Sequence, residues 1–153
     1  GWNVFGELSF AEWVLKGLVE SKPLSLFDDV IFSPLHVADL SFIISRAIEH
    51  KLSGLYHCAS KDSLSKYDFG IKMAKIFNLS INNIKKISVN DVNFDARRPK
   101  NMNLSSTKIN SILECKSNSY DAIKLMKNQY ENGWLSLVKG VEFDDDYYFW
   151  RNK

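Results

Sequence analysis

Hydrophobic and polar residues in the first third of the chain predict helices separated by a short strand. Apolar residues within positions 8–21 recur at helical spacing, and Pro23 ends that pattern because proline cannot continue a helix. Leu24–Phe27 alternates apolar and polar residues as a short strand does. Proline suits the first turn of a helix, so Pro34 is predicted to start a helix that runs to about His50.

The same alternation continues through the rest of the chain. Gly54–Ala59 has the pattern of a buried strand, and Ser63–Asn78 that of a helix whose first residue is a possible cap and whose last lies near its stop. Residues 84–89 are predicted as a strand and residues 119–133 as a terminal helix. Helices and short strands alternate without an internal repeat, which predicts the α/β class.

The composition is that of a folded domain with little net charge. The chain has 153 residues, 45% of them hydrophobic, and a formal net charge of +2. That charge is too small to predict a nucleic-acid partner. The longest uncharged runs, such as 30–38, fall short of the roughly 18 residues that span a bilayer, and no signal-peptide pattern is present. We therefore expect a cytoplasmic protein without a membrane partner.

Histidines and cysteines do not form a metal-binding pattern. No two of them stand three or four residues apart, and the acidic run 144–146 lacks the spacing of a calcium loop, so no metal is expected. Cys58 and Cys115 are too few for a disulfide framework, and both are predicted to be buried thiols.

The three histidines are each assigned a structural role. His36 has no paired carboxylate or cysteine that would assemble proton chemistry, so we expect it to support its loop. Asp39 could orient His36 or cap the helix, and capping is favoured because the helix dipole attracts negative charge near its start. His57 is predicted to be a core residue of the strand at 54–59, and His50 closes a helix whose dipole suits a cation.

The most informative stretch runs from Asp95 to Lys108 and contains Arg97-Arg98-Pro99-Lys100-Asn101. Each guanidinium presents a planar fork of donors that matches phosphate or carboxylate oxygens two at a time. Pro99 fixes one backbone angle and biases Arg98 toward an extended conformation. The pattern predicts a loop that binds an anion; the alternative is a solvated basic turn.

Four segments of the chain, in order, carry a family resemblance. They are Gly1–Asn3 followed by Ser9–Trp13, Phe32–Leu40, Gly54–Ser60 followed by Ser65–Phe69, and Ala96–Leu104. With this order and spacing the chain resembles the carboxy-terminal part of extended short-chain dehydrogenases that act on nucleotide sugars, most closely the dTDP-4-dehydrorhamnose reductase family. Residues 141–153 resemble nothing in that family.

The resemblance implies the carboxy-terminal portion of an NAD(P)-binding Rossmann-type enzyme. It implies a substrate-binding part in residues 1–140 and leaves 141–153 as an acidic-aromatic tail. The family's Gly-x-x-Gly-x-x-Gly turn is absent, and Tyr120-x-x-x-Lys124 is interpreted as a surface pair on a helix. No catalytic residue is assigned, and NAD or NADP is expected in the complete enzyme but not on this chain alone.

The resemblance also implies which residues contact the substrate. Arg97 and Arg98 would bind the diphosphate of a nucleotide sugar, with Asn101 and Lys100 as weaker contacts. Ser33 and Pro34 would shape the loop near the nicotinamide end of the cofactor. The aromatic residues at the start of the chain would form the floor of the sugar and base pocket, or they are only the core face of the first helix. These aromatic residues are Trp2, Phe5, Phe10 and Trp13.

Two functions follow from these expectations. The first is the dTDP- or UDP-sugar-binding portion of an NAD(P)-dependent 4-keto-sugar reductase, epimerase or dehydratase, whose amino-terminal cofactor domain is missing. The second is a non-catalytic binding or scaffolding module that docks a separate cofactor-binding partner. Unpaired strand edges such as 55–59 predict that the isolated chain self-associates.

Overall fold

Helices alternate with short strands along the chain. The computed structural model describes residue 2, residues 8–134 and residue 137. The elements are α1 (Phe10–Val19), β1 (Leu24–Phe27), β2 (Ile31–Phe32), α2 (Val37–Glu49), β3 (Leu64–Ser65), α3 (Lys66–Phe77), β4 (Ile84–Ile87), a 3-10 turn (Val89–Asp91), β5 (Asn101–Met102), α4 (Thr107–Leu113) and α5 (Ser119–Glu131). This order confirms the predicted α/β class.

Short polar side chains mark where the helices begin. Ser9 starts α1 with a capping box, since its Oγ accepts from the Glu12 amide while the Glu12 carboxylate accepts from the Ser9 amide. The predicted cap of α3 at Ser63 is wrong by two residues. Leu64 and Ser65 still pair with β2, so the chain stays extended until Ser65 caps the helix.

The second helix also begins later than predicted. Pro34 does not start it, because the backbone is still extended at His36, where ψ is 143°. The His36 Nδ1 atom accepts a hydrogen bond of 3.1 Å from the Ala38 amide and so caps the helix itself. Asp39 lies in the first turn, where its charge suits the helix dipole, but the capping hydrogen bond comes from His36. His50 ends the helix, as predicted.

The strands form two small sheets. β1 and β4 pair in parallel from Leu24 opposite Ile84 to Phe27 opposite Ile87. In the second sheet β2 lies between β3, which is antiparallel to it, and β5, which is parallel to it. The β1–β4 ladder ends at Phe27 opposite Ile87 and so places residue 88 beside the end of β1, while the β2–β5 ladder returns the chain to β2 at Asn101.

Residues 54–59 form no strand, contrary to the prediction. Leu55 is 77% exposed and His57 is exposed as well, so the prediction of a core histidine is also wrong. A strand needs a neighbour for its ladder of hydrogen bonds, and no strand among the described residues pairs with this segment. Tyr56 and Cys58 pack instead against a small apolar cluster beneath α2 and α4.

Two apolar clusters hold the described residues together. The larger lies around α3, where Met73 and Ala74 are fully buried against α1, β1 and α5. The smaller joins Ile43 of α2 to Ile109 and Leu113 of α4, beside Cys115. The buried thiol predicted at Cys115 is confirmed, and burial raises its pKa, whereas Cys58 is half-buried. Every helix in the described part is too short or too polar to cross a bilayer.

Candidate functional site

The candidate site lies on residues 88–100, here named the arginine loop, which connects β4 to β5. The loop starts at Ser88, whose side chain caps the 3-10 turn while the Asp91 carboxylate accepts from the Ser88 amide. It lines an open groove of about 700 Å³, whose walls include Phe94, Arg97 and Arg98. A groove of this volume is within the usual size of small-molecule sites.

Both arginines present their charge to solvent at this groove. The guanidinium of Arg98 lies 5.2 Å from the centroid of the Phe94 ring, which attracts a cation to its face. Phe94 in turn packs edge-to-face against Phe27 at the end of β1, with ring centroids 6.1 Å apart. Within the described residues neither Arg97 nor Arg98 takes part in an ion pair. Two guanidiniums are therefore available for an anion.

Lys100 is held differently from the arginines. Its Nζ atom lies 2.8 Å from Oδ2 of Asp29, in the turn between β1 and β2. The hydrogen bond from Lys100, together with those from the side chain of Ser88 and the amide of Val89, keeps the pKa of Asp29 well below its usual range. Lys100 is thus neutralised by a permanent carboxylate, and its role as a substrate contact remains a prediction.

Asn101, Ser33 and Pro34 lie at the β2–β5 ladder. Asn101 pairs with Ile31, and its Oδ1 accepts a 3.0 Å hydrogen bond from the Asn103 amide. The Ser33 hydroxyl donates to Oδ1 of Asn103 over 3.4 Å. Arg97 and Arg98 precede β5, whereas Ser33 and Pro34 follow β2. Because β2 and β5 run in parallel, the arginines and the Ser33–Pro34 pair lie at opposite ends of the ladder.

The predicted aromatic floor divides into two parts. Phe10 packs on Trp13, Phe32 and Phe69, with ring centroids 6.1, 5.8 and 5.5 Å away. Trp2 instead stacks on Tyr130 of α5 and donates to the side chain of Gln129. Phe10 is half-buried and Trp13 is 43% exposed, so of the Phe10–Trp13 pair Trp13 offers the freer surface. The predicted Phe5 lies outside the described residues.

Lys66 covers this aromatic group, and nothing in the sequence pointed to it. Its Nζ atom lies 3.6 Å from the centroid of Phe32 and 4.1 Å from that of Phe10. Burial lowers the pKa of Lys66, since the ammonium has exchanged water for ring faces. A ligand that stacked on these two rings would have to displace this ammonium.

Comparison with known proteins assigns the family. A family model described as the RmlD substrate binding domain matches residues 2–131. The chain belongs to this family. Among solved structures, dTDP-4-dehydrorhamnose reductase from Bacillus anthracis in complex with NADP has a TM-score of 0.73 at 23% identity, over 82% of this chain and 44% of that one. This likeness confirms that the chain has the fold predicted for it, that of a portion of a Rossmann-type extended short-chain dehydrogenase.

Curated relatives of this RmlD substrate binding domain carry different names. The probable low-salt glycan biosynthesis reductase Agl14 of Haloferax volcanii is 23% identical over 71% of this chain and 36% of its own length. Methionine adenosyltransferase 2 subunit beta of Rattus norvegicus is 26% identical over 62% of this chain and 34% of its own length. The chain spans about a third of the length of these two relatives.

Two glycines of the RmlD substrate binding domain allow helices to pack closely on β1. A Cβ at Gly17 of α1 would meet Leu24 at 2.4 Å, and a Cβ at Gly70 of α3 would meet Leu26 at 2.3 Å. The bare backbones at these two positions therefore admit leucines of β1.

Other predicted features of the domain have structural places. Tyr120 and Lys124 form the predicted surface pair, with the ammonium 5.4 Å from the centroid of a half-exposed ring. His36 is buried and caps α2, which agrees with a structural role. Its pKa is lowered, chiefly because it is buried. The described residues nowhere bring three potential metal ligands together. The predicted tail at 141–153 lies outside them.

Proposed function

We propose that this domain binds the diphosphate of a dTDP- or UDP-sugar through Arg97 and Arg98. The observation that carries the proposal is two guanidiniums without ion-pair partners among the described residues, on the wall of a groove of about 700 Å³. A diphosphate carries pairs of oxygens that a planar guanidinium binds in a bidentate manner. Phe94, which holds Arg98, leaves the donors of that guanidinium free at its edge.

In this proposal the domain is the substrate-binding portion of a cytoplasmic, NAD(P)-dependent 4-keto-sugar reductase, epimerase or dehydratase. Family membership and the likeness to a reductase in complex with NADP support it. NAD or NADP would bind an amino-terminal domain, and the chain alone would not transfer hydride. Asn101 and Lys100 are proposed as lesser contacts and the exposed face of Trp13 as a stacking surface. The ring of Phe10 is proposed as a further stacking surface for a ligand that displaces the Lys66 ammonium. Trp2 is proposed as part of the pocket floor, and Ser33 and Pro34 are proposed to shape the loop near the nicotinamide end of the cofactor.

Calorimetric titration with dTDP-glucose, UDP-glucose and inorganic pyrophosphate tests diphosphate binding by the two arginines. Arg97→Ala and Arg98→Ala are each expected to weaken binding roughly ten- to a hundredfold, because a charge-assisted contact contributes about 1.5 to 3 kcal/mol. Lysine at either position should restore little, since a point charge lacks the planar fork. Arg46→Ala is the matched control, because Arg46 pairs with Glu49 on the surface of α2. Unchanged affinity in both alanine variants contradicts the proposal.

A second function is favoured by an apolar stripe on α2. Val37, Leu40, Ile44 and Ile48 recur at helical spacing and are 54, 36, 50 and 72% exposed. Monomeric proteins seldom expose such a row, and Leu55 of the unpaired segment 54–59 adds to the exposed apolar surface. These features fit a module that docks a cofactor-binding partner. One curated relative is itself named as a subunit.

The two functions differ in what the gene encodes ahead of residue 1. A Gly-x-x-Gly-x-x-Gly turn and a Tyr-x-x-x-Lys pair in that coding sequence would favour the substrate-binding part of one enzyme. Their absence would favour a docking module. Sequencing the complete gene therefore separates them before any assay is run.

A further inference from the structure

A single carboxylate holds both ends of the arginine loop. Oδ2 of Asp29 accepts from the Ser88 hydroxyl at 2.6 Å, and Oδ1 accepts from the Val89 amide at 2.8 Å, where the loop starts. Oδ2 also lies 2.8 Å from the Lys100 ammonium, where the loop ends. Asp29 itself lies two residues after β1 and belongs to neither end of the loop.

We infer that Asp29 is a positioning residue for anion binding by Arg97 and Arg98. It closes the loop that presents the two guanidiniums, so that the groove is formed before a ligand arrives. This inference rests on the proposed function, since it concerns the same groove. Binding by a preformed site avoids the entropic cost of ordering the loop during association.

The middle of the loop is anchored on the same element. Phe94 packs on Phe27 of β1, and Arg98 lies over the Phe94 ring. The loop is therefore held at its start and end by Asp29 and in its middle by Phe27. When the Asp29 contacts are lost, the end of the loop keeps the 2.8 Å hydrogen bond from the Ile31 amide to the Lys100 carbonyl, and its middle keeps the Phe27–Phe94 contact. Edge-to-face aromatic pairs are worth only about a kcal/mol, so the arginines are then weakly restrained.

The neighbouring residue supplies a matched control. Asp28 forms an ion pair with Lys86 at 3.1 Å, and its carboxylate is more exposed than that of Asp29, 36% against 24%. Asp28→Asn/Lys86→Gln and Asp29→Asn/Lys100→Gln each remove one negative and one positive charge that form an ion pair. Each double variant keeps the net charge of the protein, so a difference in cleavage rate between them reports the geometry of the loop. For affinity, Ser88→Ala and Asp29→Glu keep Lys100 and so separate positioning of the loop from loss of that proposed ligand contact.

The experiment measures two quantities on the purified chain. The rate at which trypsin cleaves after Arg97 reports opening of the loop, and calorimetric affinity for dTDP-glucose and UDP-glucose reports binding. Asp29→Asn/Lys100→Gln is expected to raise the cleavage rate and weaken binding roughly five- to tenfold, with little change in melting temperature. Ser88→Ala should act in the same direction more weakly, and Asp29→Glu with Lys100 intact should restore part of the affinity.

Specific outcomes overturn the inference. Unchanged cleavage and affinity in the Asp29 variant, or equal losses in the Asp28 variant, show that Asp29 does not position the loop. Losses that only follow a fall in melting temperature show a general structural role. Absence of binding by the unaltered chain contradicts the proposed function and the binding role of Asp29 together, while the cleavage rates still decide whether Asp29 closes the loop.

Discussion

Gly17 on α1 lies directly against Leu24 on β1, and a Cβ built at position 17 would stand 2.4 Å from Leu24 Cδ2. Leu24 is only 2% exposed, so it cannot swing into solvent to make room. The first helix approaches the first strand this closely because position 17 has no side chain. The contact helps to fix α1 against the strand that leads to Asp29.

Gly17→Ala is therefore expected to destabilise the fold. Overpacking of a well-filled core costs about 1 to 3 kcal/mol, which exceeds the gain of up to about 1 kcal/mol that alanine gives a helix. Urea denaturation measures the loss. Combining Gly17→Ala with Leu24→Ala should cost less than the sum of the single variants, because the shortened side chain no longer collides. Additive costs would show that the two residues do not conflict.

Local sequence signals predicted the elements where capping and periodicity were strong. Asn78 ends α3 in the left-handed conformation, with φ of 57°, which asparagine tolerates. The sequence did not predict α4, because only Ile109 and Leu113 of that helix are buried and Ser106 makes no side-chain capping hydrogen bond. The strand predicted at 54–59 is absent for the opposite reason, since its apolar pattern was clear but no described strand pairs with it.

The sequence predicted the candidate site only where its residues are neighbours along the chain. Arg97 and Arg98 stand together in the sequence, and the structure places both on one groove. Asp29 lies 59 and 71 residues from its partners Ser88 and Lys100, so no local pattern could associate them. Lys66 was missed in the same way, because its aromatic partners come from α1 and β2.

Asp62 anchors the start of α5 and should make stability depend on pH. Its carboxylate accepts from the Ser119 amide at 2.7 Å, from the Ser119 hydroxyl and from Ser60, beside the Lys72 ammonium. Burial acts to raise the pKa of Asp62, but these hydrogen bonds outweigh it and hold the pKa well below its usual range. Asp62→Asn is expected to cost about 1 to 2 kcal/mol at pH 7, since the carboxylate is partly exposed and screened.

That cost should vanish in acid. The folded pKa lies below the unfolded value of about 3.9, so the stabilisation is complete above roughly pH 5 and is lost as pH falls through the folded pKa. Urea titrations at pH 7 and at successively lower pH test this. Asp121 is an exposed acidic residue in the first turn of the same helix. Asp121→Asn is the control and should change the free energy of unfolding little. A cost for Asp62→Asn that stays constant into acid would exclude the charge as its source.

The α2 stripe should drive association of the isolated chain. Ile44→Glu/Ile48→Glu is expected to convert an associating species into a monomer in sedimentation velocity, because two charges prevent burial of the exposed face. The melting temperature should hardly change, since both side chains are at least half exposed. Ile81→Glu/Ile112→Glu alters two exposed isoleucines elsewhere and serves as the control. A monodisperse monomer of the unaltered chain over a wide concentration range would contradict the prediction.

Lys66 should make the stability of the chain depend on pH in the alkaline range. Its ammonium is half-buried on the rings of Phe10 and Phe32, and burial lowers its pKa below that of an unfolded lysine, about 10.4. As pH rises from the lowered pKa of Lys66 in the folded state toward the pKa of an unfolded lysine, the unfolded chain holds more protons at this residue than the folded chain does. The unaltered protein therefore gains stability relative to Lys66→Met between neutral pH and about pH 10.

At neutral pH the same substitution should change stability by no more than about 1 kcal/mol. The cost of a desolvated charge is removed, but so are two cation–ring contacts worth roughly 0.5 to 1 kcal/mol each, and these effects oppose one another. Lys75→Met on the exposed side of α3 is the control. Urea denaturation of the three proteins from pH 7 to 10 decides the matter. Parallel curves for Lys66→Met and the unaltered protein would mean that the ammonium remains as well solvated in the fold as in the unfolded chain.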